Sequence, residues 1–274
     1  MLDPAGRLLE DVRAAFAATE IANLILGELK GETHAIKGMA ADGLWTDGRH
    51  TKLSRTNSQL FALAAERRGE GIFWVGPEPK DGYRVGRDGP DNYRLSLVMD
   101  AYHLFNRERA AIQDKTMKEV GSWQDYTTYA EQANDGEARI LVKLVEEHGH
   151  DTPQLVEDIR HNAVRSEADA DEALTTGHKS KGLEWDRVQL TDDFEFLEDL
   201  EFDLSQDPNA RIPVQDVNLL YVAATRAKQA VTLNQETTSW IEKLPEHREN
   251  RRLATMRRET RAVNDELSEM RYVG

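Results

Sequence analysis

Thr175-Thr176-Gly177-His178-Lys179-Ser180-Lys181-Gly182-Leu183-Glu184-Trp185-Asp186-Arg187-Val188-Gln189-Leu190 carries the clearest signal of how this chain folds. It reads as a short apolar lead-in, a polar loop containing glycine, and then a strand that ends at the acidic pair Asp192 and Asp193. A second dense stretch follows within the next fifty residues, Asn218-Leu219-Leu220-Tyr221-Val222-Ala223-Ala224-Thr225-Arg226-Ala227-Lys228. It reads as a buried helix running into a basic turn.

Outward from these two stretches, strands are expected near residues 51–55, 71–75, 173–177, 186–191 and 229–233, alternating with helical patterns. That alternation predicts an α/β fold, a parallel sheet with helices on both faces. Leu8, Leu9, Val12, Phe16, Ile21, Leu24 and Ile25 recur at helical spacing and predict one or two core-packing helices. Lys52-Leu53-Ser54-Arg55-Thr56-Asn57 reads as a strand running into a helix cap, because Thr and Asn accept from free backbone N–H groups at helix starts. Gln59 to Arg67 continues as a helix, and Gly71 to Gly76 as a buried strand. The turn-rich stretch from Pro77 to Asn92 marks a boundary.

Beyond it the pattern is all helical. Helices are expected from Leu95 to Phe105, Met117 to Tyr129, Ala138 to His148 and Pro153 to Val164, the last starting at the favourable Thr152-Pro153 signal. The aromatics of this block read as core. Glu147, His148, His150 and Asp151 read as a polar helix end rather than a metal centre, since no further ligand spacing accompanies them. From Pro245 onward, Leu253, Met256, Val263, Leu267 and Met270 form a stripe on a charged amphipathic helix. Its arginines, Arg248 to Arg261, read as a solvated face balanced by glutamates.

Composition bounds the function. A chain of 274 residues can hold one large domain or two small ones. With no cysteine there is no disulfide, thiolate metal site or Cys nucleophile. No apolar run approaches the roughly 20 residues of a membrane span, and Met1-Leu2-Asp3-Pro4 lacks the basic start of a signal peptide, so a cytoplasmic protein with no membrane partner is expected. Fifty acidic against thirty-five basic residues give a net charge of −15, the opposite of a typical nucleic-acid footprint. Either the acidic surplus is a solvated surface around local Lys and Arg contacts, or the chain meets nucleic acid only within a larger assembly.

The two opening stretches resemble motifs V and VI of UvrD/Rep-type superfamily 1 DNA helicases, most closely the F-box DNA helicase branch, in which the loop strand ends in Thr-Asp-Asp-Phe, here Thr191 to Phe194. The resemblance implies a RecA-like second motor domain over residues 1–92 and 166–240, a helical insertion over 93–165, and a charged C-terminal helix over 241–274. It implies that Arg226 is the arginine finger. It further implies that Glu184 accepts hydrogen bonds from the nucleotide sugar with Gly182 beside it, and that Phe16 stands in for an adenine-stacking aromatic; the arginine that accompanies that aromatic in the family has no match, Arg13 being out of register. Arg55, Asn57, Thr176, His178 and Lys181 would line the path of single-stranded DNA. Hydroxyl, imidazole and ammonium donors suit phosphate contacts that carry no sequence code.

ATP and Mg²⁺ are implied in turn, but the sequence holds no Gly-Lys dipeptide and therefore no Gly-x-x-x-x-Gly-Lys phosphate loop. The expectation is accordingly the C-terminal portion of an ATP-dependent helicase, inactive alone, whose partner is a P-loop-containing N-terminal half. The alternative is a non-catalytic RecA-like domain that keeps the fold for DNA or partner binding.

Overall fold

The computed structural model describes residues 15, 16, 25, 28, 50–67, 69–75 and 89–272. Among them run the strands β1 (Ala15–Phe16), β2 (Thr51–Ser54), β3 (Ile72–Trp74), β4 (Glu172–Thr176), β5 (Trp185–Leu190) and β6 (Ala227–Thr232). They form one sheet in the order β1-β6-β5-β2-β4-β3. All neighbours from β6 to β3 are parallel, and β1 closes one edge antiparallel to β6. The strands β2 and β4 are buried at every position, as a parallel sheet covered on both faces requires.

The helices are α1 (Asn57–Glu66), α2 (Ser96–Phe105), α3 (Lys115–Val120), α4 (Trp123–Gln132), α5 (Gly136–His148), α6 (Thr152–His161), α7 (Leu197–Gln206), α8 (Val214–Ala224), α9 (Gln235–Glu242) and α10 (Leu244–Tyr272). The period-2 alternation of side chains divides them between two cores. Trp74 and Leu174 are register partners on one face and pack with α1 and the block α2 to α6. Leu53, Leu190, Val188 and Val231 serve the other core, with α7, α8, α9 and the start of α10. On the first face, Lys52 and Glu172 form a buried ion pair at 2.5 Å.

The α/β architecture agrees with the sequence expectation, and the five expected strands each appear within two residues of their predicted bounds. Three local expectations are corrected. Ala15 and Phe16 lie in a strand, not a helix: an Ala-rich apolar run satisfies either period, and pairing with the open edge of β6 decides it. Arg13, Ala14 and Ala17 lie outside the described residues. The single helix expected from Met117 to Tyr129 is two. Gly121, at φ +90°, ends α3 in the left-handed region, and Ser122 restarts the chain by accepting from the Asp125 N–H. Finally, the arginines of α10 are not all solvated. Arg251 is half-buried and reaches both Glu28 and the buried Glu201.

Glu201 sits at the middle of the α7–α10 contact, where it also accepts from the Trp240 indole at 3.0 Å. The N-terminus of α7 is closed by a side chain from α9, the Glu236 carboxylate, which accepts from the N–H groups of Phe196, Leu197 and Glu198. Such a carboxylate satisfies otherwise free donors and opposes the positive helix end. No helix among the described residues is long and apolar enough to cross a membrane.

Candidate functional site

At the carboxyl end of β2 the chain turns sharply into α1, and one carboxylate holds the turn. Asp193, just past β5, accepts from the Arg55 N–H at 3.0 Å, the Thr56 N–H at 2.7 Å, the Thr56 hydroxyl at 2.8 Å and the Thr191 hydroxyl at 2.6 Å. Thr56 is simultaneously the N-cap of α1, its Oγ1 accepting from the Gln59 N–H. Two adjacent strands are thereby pinned at their ends. The Arg55 side chain is left to reach sideways, where its Nε donates to Asp216 of α8 at 2.8 Å. Asn57 follows, half-buried, as the first residue of α1.

The loop after β4 lies beside this turn. Thr176 is buried, and its Oγ1 accepts from the Lys179 N–H at 3.3 Å, so it braces the loop from within. Gly177 is required by a close approach: a Cβ there would sit 2.8 Å from Cδ1 of Leu219 on α8. Gly182, at φ +85°, occupies a conformation that L side chains rarely adopt. Between them His178 and Lys181 are exposed. Arg55, His178, Lys181, Asp216, Asn218 and Val222 line a cleft of about 550 Å³ along α8.

The same loop then returns the chain to the opposite edge of the sheet. Because β4 and β5 are both parallel to β2, residues 177–184 must climb back over a strand length, roughly 16 Å for five residues. Glu184 ends the climb, exposed, at the start of β5. Next to it Arg226 begins β6's approach. Its Nη1 donates to the Leu183 carbonyl at 3.1 Å, its Nε to the Val222 carbonyl at 3.0 Å, and its Nη2 to the Thr225 hydroxyl at 3.2 Å. The Trp185 N–H in turn donates to the Arg226 carbonyl at 2.9 Å. Glu184 is therefore flanked on both sides by residues bonded to Arg226. A guanidinium has five N–H donors; among the described residues, two of these remain for a ligand.

The structure thus sorts the sequence-derived residues into two groups. Arg55, Asn57, Thr176, His178 and Lys181 lie at the carboxyl edge, while Glu184 and Arg226 both lie at the amino edge with Gly182 leading to them. Phe16 lies on the outermost strand, β1, next to β6. Three residues that the sequence reading passed over matter as much. Asp193 and Asp216 organise Arg55. Lys179 donates to the Asn92 carbonyl and sits 3.4 Å from the centroid of the Tyr93 ring, fastening the loop to the first turn of the helical block. Burial there pulls its pKa down. Only the acidic strand end gave a sequence-level hint of Asp193.

No family model matches the chain. It is similar to F-box DNA helicase 1 of Gallus gallus, with 30% identity over 225 residues that cover 73% of this chain and 20% of the relative. It is likewise similar to F-box DNA helicase protein 1 of Schizosaccharomyces pombe, with 26% identity over 255 residues, 84% of this chain and 27% of the relative. The chain spans about a fifth to a quarter of the length of these curated relatives. Sequence similarity over most of the chain, joined to the mostly parallel α/β sheet, relates this chain to the F-box DNA helicase branch, of whose curated members it matches only a portion.

Proposed function

We propose that the chain is the second RecA-like half of a superfamily 1 DNA helicase motor, acting with a P-loop domain supplied by another polypeptide or another segment. The observation that carries this reading is the bonding of Arg226 to Leu183, with Glu184 next in sequence. A guanidinium held at one sheet edge, with an exposed carboxylate on the residue after its loop partner, is suited to opposite parts of a nucleotide, its phosphates and its sugar hydroxyls.

The donor set fits a nucleoside triphosphate. Bound ATP with Mg²⁺ would supply the phosphoryl group whose transfer drives movement. Arg226 would direct its two remaining N–H groups at negative charge developing on the terminal phosphate, a contribution worth on the order of 10³-fold in rate. Glu184 would orient the sugar by accepting from its hydroxyls, Gly182 would let the backbone pass close by, and Phe16 would stack on the base. Among the described residues no group of three or more His, Asp or Glu is placed to hold a metal ion, so Mg²⁺ would arrive with the nucleotide and the P-loop domain. At the other edge Arg55, Asn57, His178 and Lys181 would hold the backbone of single-stranded DNA, with Thr176 bracing the loop that presents them.

The net charge of −15 favours a second reading, a helicase-derived module that binds a protein partner without touching DNA. Two measurements on the isolated chain separate these. Fluorescence anisotropy with a labelled single-stranded oligonucleotide is expected to show salt-sensitive binding, with Kd on the order of 10⁻⁶ to 10⁻⁴ M. A coupled ATPase assay is expected to show no turnover. Absence of DNA binding would transfer support to the second reading, and ATP turnover by this chain alone would overturn the first.

A further inference from the structure

Asp216 is acidic, half-exposed, and placed where the proposed DNA path needs positive charge. Its Oδ1 holds the Nε of Arg55 at 2.8 Å, with side chains 35% and 26% exposed, so the pair is screened and separable. The backbone of Arg55 has no comparable freedom, since Asp193 fixes its N–H and that of Thr56. Arg55 and Asp216 both line the 550 Å³ cleft along α8, and both also line a neighbouring cleft of about 460 Å³ whose wall carries Asp192, Asp193, Glu195, Asp199 and Asp203 alongside Arg139, Lys143 and Arg211. Of the two, the cleft along α8, with His178 and Lys181 and no carboxylate besides Asp216, is the one suited to a phosphate.

We propose that Asp216 is an internal competitor of the DNA backbone: it occupies the Arg55 guanidinium in the free protein and must be displaced by a phosphate for Arg55 to hold a strand in the cleft along α8. This rests on the reading of Arg55 as a DNA contact. A phosphodiester is the ligand the chemistry selects, because it offers the same anionic oxygens as the carboxylate it replaces.

The test uses the full 274-residue chain and a labelled single-stranded oligonucleotide, with wild type, Asp216→Asn, Asp216→Glu, Arg55→Ala and the Arg55→Ala/Asp216→Asn pair compared across salt concentrations. Asp216→Asn is expected to bind roughly 2- to 5-fold more tightly, the range of a screened ion pair. Asp216→Glu should behave as wild type. In the Arg55→Ala background, Asp216→Asn should lose most of its gain. A folded Asp216→Asn protein that binds DNA no more tightly than wild type, or whose gain survives in full in the Arg55→Ala background, would overturn the competitor role while leaving the DNA reading intact. Failure of the wild-type chain to bind the oligonucleotide would sink the DNA reading, and this inference with it.

Discussion

Arg226 donates from Nη1 to the carbonyl oxygen of Leu183 at 3.1 Å, and this bond ties the helix α8 to the last residues of the crossover loop. The loop begins at the opposite edge of the sheet, against the same helix, where Gly177 meets Leu219. One helix and one loop are thus in contact at both ends, with the Arg55–Asp216 pair at the amino end of α8 and Arg226 just beyond its carboxyl end. In the motor reading, that arrangement gives DNA occupancy at one edge a physical route to the nucleotide edge.

Asp193 is the first place to cut this arrangement. Asp193→Ala removes the acceptor for two backbone N–H groups and two hydroxyls. The expected loss is about 2–4 kcal/mol of unfolding free energy, because partly buried donors are stranded rather than merely freed. Asp193→Asn, which keeps one carbonyl acceptor, should lose less. Denaturant unfolding followed by circular dichroism measures both; equal stability of wild type and Asp193→Ala would show that the turn holds itself.

Gly177 tests the packing of loop on helix. An alanine Cβ would stand 2.8 Å from Leu219 Cδ1 and 3.2 Å from its Cγ, in a place where Leu219 is 6% exposed. Gly177→Ala should therefore cost about 1–3 kcal/mol as overpacking. The double variant Gly177→Ala/Leu219→Ala should recover part of it, since the methyl then occupies space the leucine vacates. Thermal melts of the four proteins read the coupling directly, and strict additivity would contradict the close approach.

Much of this was legible in the sequence, for identifiable reasons. The strands β2 to β6 were legible from β-branched and apolar residues between turn residues, although only β3, Ile-Phe-Trp, is an apolar run throughout. Thr56 was readable as a cap and Thr152-Pro153 as a helix start, since both act through local backbone geometry. The residues missed act over distance. Asp216 reaches Arg55 across 161 positions and Asp193 reaches it across 138, and no local pattern records such a pair. Lys179, in a loop full of polar residues, looks like its neighbours until Tyr93 is folded beneath it. The strand at Ala15 and Phe16 was hidden for a different reason: a two-residue edge strand is defined by its partner, β6, and not by its own sequence.

Glu28 supplies a pH signature at the base of α10. A hydrogen bond from Arg248 holds its carboxyl below the ordinary carboxylate value, against the upward push of burial, with Arg251 adding to the attraction. A carboxylate whose folded pKa is depressed contributes stability above its unfolded pKa and loses it as pH falls through the folded one. Glu28→Gln should therefore lower the melting temperature near neutral pH, and the difference from wild type should shrink on acidification below the ordinary carboxylate range. A difference that stays constant down to low pH would place the stabilisation in packing instead.

In the motor reading, Arg226 completes a nucleotide site in company with a P-loop domain. The most direct measurement is DNA-stimulated ATP turnover by the chain combined with the P-loop portion of a family member, comparing wild type with Arg226→Ala at a temperature where both are folded. Turnover should appear on combination and fall by about 10³-fold in the variant, while binding of single-stranded DNA persists. Turnover that is unaffected by Arg226→Ala would remove Arg226 from the nucleotide site.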